Sequence, residues 1–218
     1  MSQITRARLA PLTGVVAVIL LLVALILEGS PPAADAPTEE VVRYHAENDA
    51  TLLAASLIGS LSSVFLAWFG GSVFAAFRSV EGEPGRLGAI AFGGILLASA
   101  GNVMLFGFVF APADTVGDVP AEVTQTLSVL GALFVLPLAV GVLVALLASA
   151  VAVLRHRALP SWVGYVSMLV AVVYVVSAAF GAEAAITVWI VTAMVWTVIL
   201  SAALFLREPR PAEYPRNA

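Results

Sequence analysis

Six runs without a single charged side chain occupy most of this chain: residues 9–27, 50–77, 87–113, 123–154, 158–182 and 184–206. Each is longer than the ~18 apolar residues that read as a membrane crossing. In hydrocarbon no water satisfies the peptide groups, so a crossing segment has to close its hydrogen bonds internally, as a helix does. The expected fold is all-α: one polytopic bundle over residues 1–218. Its six transmembrane helices lie near 9–27, 50–77, 87–111, 125–154, 161–182 and 184–206. Only 11% of the residues are charged, against about 25% in soluble domains. Little chain is left for a second, water-soluble domain.

The segments between the runs alternate in charge. Arg6 and Arg8 precede the first run, and loop 28–49 holds Glu28, Asp35, Glu39, Glu40, Glu47 and Asp49 against Arg43. Arg78, Glu81, Glu83 and Arg86 come next, then Asp114, Asp118 and Glu122, then Arg155-His156-Arg157, then Glu183. The tail carries Arg207, Arg210 and Arg216 with Glu208 and Glu213. With both termini in the cytoplasm, nine of ten Arg lie inside and ten of fourteen acids outside. The positive-inside rule selects that orientation. Residues 28–49 then form an acidic extracytoplasmic loop and 207–218 a flexible cytoplasmic tail. A rival reading takes Arg6, Arg8, the first run and Ala34-Asp35-Ala36 as a cleaved signal peptide, leaving five spans. The run of 19 residues is longer than the 7–15 of a typical signal core, which favours retention.

Cysteine and lysine are both absent. Thiolate catalysis, disulfides, iron–sulfur clusters and Lys Schiff bases, including retinal-type ones, are therefore excluded. No ionisable residue interrupts a run, so intramembrane aspartyl chemistry and the usual proton relays lack their groups. His45 and His156 fall on opposite sides of the membrane and cannot share a metal or a haem. Intramembrane serine chemistry lacks a His base within a span. Glu183 reads as an interfacial turn residue. His45 with Glu47 and Asp49 reads either as a weak surface cation site or as part of a solvated acidic loop. No catalytic residue, cofactor, metal site or nucleic-acid partner is expected.

Pro31, Pro32 and Pro37 stop the first helix, and Thr38 offers an N-cap from which the second runs unbroken into the membrane. Glu81-Gly82-Glu83-Pro84-Gly85 closes a tight hairpin. Pro112 and Pro120 bound the third loop, and Pro160 opens the fifth helix. Small residues recur at helical spacing: Ser56, Gly59, Ser60, Ser63, Ala67 and Gly70; Gly94, Ala98, Gly101 and Asn102; Gly141, Ala145 and Ser149. Such stripes let helices approach closely in lipid. Asn102 is the one strongly polar residue well inside a run, with Ser60 and Ser63 at similar depth on its neighbour. The three form either a closed packing contact or the lining of a polar cavity. Pro137 is expected to kink the fourth helix and free a carbonyl one turn earlier, as at some transporter substrate sites. Trp68, Tyr174, Trp189 and Trp196 read as packing or interfacial belt residues.

Three segments carry a resemblance. Tyr44-His45-Ala46-Glu47-Asn48, the stretch from Phe65-Leu66-Ala67-Trp68-Phe69-Gly70-Gly71 through Arg78 to Arg86-Leu87, and Leu159-Pro160-Ser161-Trp162-Val163-Gly164 resemble a widespread group of actinobacterial multi-pass membrane proteins with a domain of unknown function. The likeness covers most of residues 40–206. It implies six helices, and brings no activity, cofactor or site residue with it.

The function expected from the sequence is that of a structural or accessory membrane subunit. Its partners would be the lipid bilayer and another membrane protein or a second copy. The alternative is a carrier or binder of a small uncharged or lipophilic molecule, entered from the outer leaflet between the second, third and fourth helices and using Asn102, Ser60, Ser63 and Pro137. An intramembrane enzyme ranks third, because the spans hold no acid–base pair. A composition rich in Ala, Val, Gly and Arg without Lys points to a GC-rich bacterium, and so to a bacterial inner (plasma) membrane.

Overall fold

The computed structural model describes residues 9–33, 35–177 and 182–207. After a 3-10 turn at Ala10–Leu12, the described residues form eight α-helices: α1 Thr13–Glu28, α2 Thr38–Glu47, α3 Asp49–Glu81, α4 Arg86–Thr115, α5 Ala121–Leu133, α6 Val135–His156, α7 Ser161–Ser177 and α8 Ala182–Leu206. The protein is all-α. Five stretches are long and apolar enough to cross a membrane: Ala10–Glu28, Asp49–Glu81, Arg86–Thr115, Ala121–His156 and Ala185–Leu206. The other predicted span falls on α7, an apolar helix of 17 residues; residues 178–181, which the predicted span 161–182 includes, lie outside the described residues. So do Arg6, Arg8, the tail beyond Arg207 and the side chain of Glu183.

Helix α4 is the hub, packing along α3 on one side and α6 on the other. On α3, Leu52, Ser56, Gly59, Ser63, Gly70, Val73 and Phe77 are buried. Their spacing of three and four residues is the stripe of one helix face. The opposite stripe, Leu57, Leu61, Val64 and Trp68, is exposed, the arrangement expected where the surrounding solvent is lipid. Ser60 and Ala67 of the predicted stripe are only half-buried. The α4–α6 seam is closer still. A Cβ placed on Gly141 would lie 2.6 Å from the Gly94 carbonyl oxygen, and one on Gly101 would lie 2.5 Å from the Leu138 nitrogen. The two backbones touch, and only glycine fits there.

Two expected boundaries are corrected, and one expected break is found. The second helix does not run unbroken from Thr38: α2 and α3 part at Asn48 (φ −121°, ψ 15°). The Asn48 amide nitrogen donates to the Tyr44 carbonyl (2.8 Å), while its own carbonyl accepts the Leu52 N–H (2.9 Å) and the Thr51 hydroxyl (2.8 Å). A short polar side chain here competes for the backbone and wins. Pro112 does not bound a loop but lies buried inside α4, which continues to Thr115. The interruption falls in the last turn, where the Thr115 hydroxyl donates to the Ala111 carbonyl (2.9 Å). The fourth predicted span divides at Phe134 into α5 and α6. Pro137 has no N–H for the Leu133 carbonyl, so the expected break appears one turn before it.

The hairpin forms as expected. The Glu81 carboxylate accepts the N–H groups of Leu87 (3.0 and 2.9 Å) and Gly88 (3.3 Å), capping the start of α4. Arg207 donates to the Ala76 carbonyl (3.0 Å) and the Ser79 hydroxyl (3.2 Å), and the Ser201 hydroxyl donates to the Pro11 carbonyl. These bonds gather the start of α1 and the ends of α3 and α8 at one basic end of the bundle. At the α7–α8 contact the Tyr174 hydroxyl donates to the Trp189 carbonyl (2.7 Å) and the Trp189 indole to the Tyr174 carbonyl (2.9 Å). The Trp196 indole donates to the Ser167 hydroxyl (3.0 Å). These three aromatics are packing groups, whereas Trp68 is 69% exposed.

Candidate functional site

Asn102 reaches α4's neighbour as the sequence suggests, but with a different set of partners. Its amide nitrogen contacts the Gly59 carbonyl (3.0 Å) and the hydroxyls of Ser62 (3.1 Å) and Ser63 (2.8 Å). A carbonyl only accepts, so Gly59 fixes which end of the amide faces α3. Ser62 also donates to Gly59 (2.6 Å). Ser60 takes no part. At about 100° per residue, Ser62 and Ser63 sit about 60° and 40° to either side of Gly59, whereas Ser60 is about 100° away. Depth along the membrane pointed to Ser60, and the helical angle decides for Ser62.

The α3–α4 interface is closed at this point, yet half of the amide is unsatisfied. Asn102 is 2% exposed, and its Oδ1 is buried with no hydrogen-bond partner. Asn102, Ser62 and Thr197 line a cavity of about 60 Å³ whose other walls are mostly apolar residues of α1, α3, α4, α6 and α8, among them Leu21, Ala98, Leu138 and Met194. Leu138 lines it and Pro137 does not. One other buried side-chain oxygen among the described residues lacks a partner, Ser149 Oγ, and Ser149 does not line this cavity.

A second cavity, of about 180 Å³, opens at the acidic end. Glu28, Tyr44, His45, Gln125 and Ser128 line it over an apolar floor that includes Leu105 and Phe108. Leu105 is a wall of both cavities. His45 is 5% exposed. Its Nδ1 lies 2.9 Å from the Val41 carbonyl, which can only accept, so Nδ1 carries the proton and Nε2 presents its lone pair. The Ser128 hydroxyl is 3.4 Å from Nε2. The Tyr44 hydroxyl donates to the Glu28 carbonyl (2.6 Å), and the Gln125 amide nitrogen donates to the Ala36 carbonyl (3.2 Å). Burial lowers the His45 pKa from its usual 6.5, outweighing the opposing Val41 bond. Burial, and then the charge of Glu28, push the Tyr44 hydroxyl up to about 12.

This geometry corrects two expectations. His45 turns into the bundle, while Glu47 and Asp49 are exposed, so the three do not form a cation site. Among the described residues no group of three His, Cys, Asp or Glu is placed to hold a metal. A histidine also reaches a serine of the fourth run, which sequence position had placed apart. The nearby Gln125 amide nitrogen donates one hydrogen bond to the Ala36 carbonyl. The cleft presents polar side chains over an apolar floor. The sequence did hold a signal for it: Val41, Tyr44, His45 and Asn48 recur at the spacing of one helix face, masked by the charged residues between them.

No family model, curated protein or solved structure matches this chain.

Proposed function

We propose that this chain is a six-span protein of a bacterial plasma membrane, akin to the actinobacterial group it resembles, with both termini in the cytoplasm. We propose further that it works by holding a small, uncharged, lipophilic molecule in the Asn102 cavity. The unpartnered Asn102 Oδ1 carries this reading. Leaving a buried acceptor unsatisfied costs about 1–3 kcal/mol. A guest with one hydroxyl or N–H donor and an otherwise apolar surface recovers that energy and suits the apolar walls. No ionisable side chain lines the cavity, which favours a neutral guest.

The accessory-subunit reading keeps one observation in its favour. Three serine hydroxyls of the spans are spent on their own helices: Ser56 on Leu52, Ser99 on Ile95 and Ser167 on Val163. Asn102→Leu separates the two readings. Under the binding reading, native mass spectrometry shows a lipophilic molecule retained by the parent protein and lost from the variant; the lost contacts to Gly59, Ser62 and Ser63 lower the melting temperature under either reading. Under the packing reading, the variant melts lower and its co-purified molecules do not change.

A further inference from the structure

The cleft at the acidic end is independent of Asn102, and its chemistry is more particular. Its polar lining is dominated by acceptors. His45 Nε2 is an acceptor, because Nδ1 holds the proton against Val41, and its present partner is the Ser128 hydroxyl at 3.4 Å. Glu28 adds a carboxylate, and Ser128 adds a hydroxyl within 3.4 Å of the imidazole. The Tyr44 hydroxyl donates to the Glu28 carbonyl and one Gln125 N–H to the Ala36 carbonyl. No Arg lines the cleft. Beneath these groups the floor is apolar, formed by residues such as Leu105, Phe108 and Val129. The site lies where α1 ends and α5 begins, at the ends of apolar membrane-length stretches.

We infer that this cleft binds the head of a single-chain amphiphile bearing a primary amine. The ammonium sits among Glu28, His45 and Ser128, where one acid and a lone-pair nitrogen meet its donors. The hydrocarbon chain lies over Leu105 and Phe108, toward the wall shared with the deeper cavity. An anionic head is rejected, since it would face a carboxylate without a compensating base. A short amine without a chain binds weakly, since it leaves the apolar floor uncovered.

The test uses the full chain in lipid nanodiscs and three photoreactive alkyl probes of one chain length, ending in an amine, an alcohol and a carboxylate. Crosslinked peptides are mapped by mass spectrometry, with unlabelled butylamine as a short-chain competitor. The expected result is saturable labelling of α2 and α5 by the amine probe, at least tenfold above the carboxylate probe and resistant to butylamine. Glu28→Gln and Ser128→Ala each reduce amine labelling several-fold while the melting temperature holds; the second variant covers the case in which the first misfolds. Carboxylate labelling equal to amine labelling overturns the inference, as does effective competition by butylamine. Amine labelling unchanged in both variants overturns it too. Asn102→Leu leaves this labelling intact, so failure here and failure of the Asn102 reading are distinguishable.

Discussion

Substituting Gly141 by alanine tests the seam that forms a wall of the Asn102 cavity. The added Cβ would lie 2.6 Å from the Gly94 carbonyl oxygen, whereas ordinary contact begins at 3.4 Å. The Ala98 backbone nitrogen is nearer still, so one helix has to retreat by at least about 0.8 Å, and the obstacle is backbone of the central helix, which has no rotamer to change. Overpacking of this kind costs about 1–3 kcal/mol. Alanine's better helix propensity offsets up to about 1 kcal/mol. Gly93→Ala supplies the control, because nothing lies within 4 Å of its added Cβ. The propensity gain is common to both substitutions, so their difference isolates the steric cost at about 1–3 kcal/mol. In a chain of this size, each kcal/mol corresponds to about 2–4 °C in melting temperature. Thermal unfolding of both variants in one detergent should place Gly141→Ala below Gly93→Ala by a few to about ten degrees. Equal melting temperatures, or the reverse order, would refute the backbone-to-backbone seam.

Three further outcomes are expected, the first from the charge pattern of the loops and the others from the geometry. The chain lacks cysteine, so single cysteines report topology cleanly: Glu39→Cys should react with an impermeant maleimide on intact cells, and Glu83→Cys only after lysis. His45 is held neutral by burial, its pKa below the usual 6.5; the unfolded chain takes up a proton near pH 6.5 that the folded chain refuses. Stability is therefore full above about 6.5 and falls as the pH drops below it, by at most about 1.4 kcal/mol per unit; His45→Gln should flatten a melting-temperature profile between pH 7.5 and 5. Tyr44→Phe removes the hydrogen bond to the Glu28 carbonyl and should lower stability by about 0.5–1.5 kcal/mol, measured by thermal unfolding.

The helices and their order are legible in the sequence because hydrophobic run length and prolines act locally. The α4–α6 seam is legible for the same reason, since Gly94, Ala98, Gly101, Gly141 and Ala145 announce close packing wherever they meet. Asn102 stands out as the polar residue that needs a partner. Which partner it takes depends on the relative rotation of two helices, and that rotation replaces Ser60 with Ser62. Asn48 is harder to read, because an asparagine between two helix-forming stretches can stay in the helix or cap both ends. The acidic-end cleft is the least legible feature. It assembles residues from three distant segments, around Glu28, His45 and Ser128, and its histidine sits among exposed charges that conceal the buried face of α2.

The claim that Asn102 Oδ1 receives a donor from a lipophilic guest is tested most directly by an experimental density map of the protein in lipid nanodiscs. Compact non-water density is expected in the cavity between α1, α4, α6 and α8, with one polar atom within hydrogen-bond distance of Oδ1. A collapsed cavity, or a single water molecule bonded to Oδ1 with no further density, would contradict it.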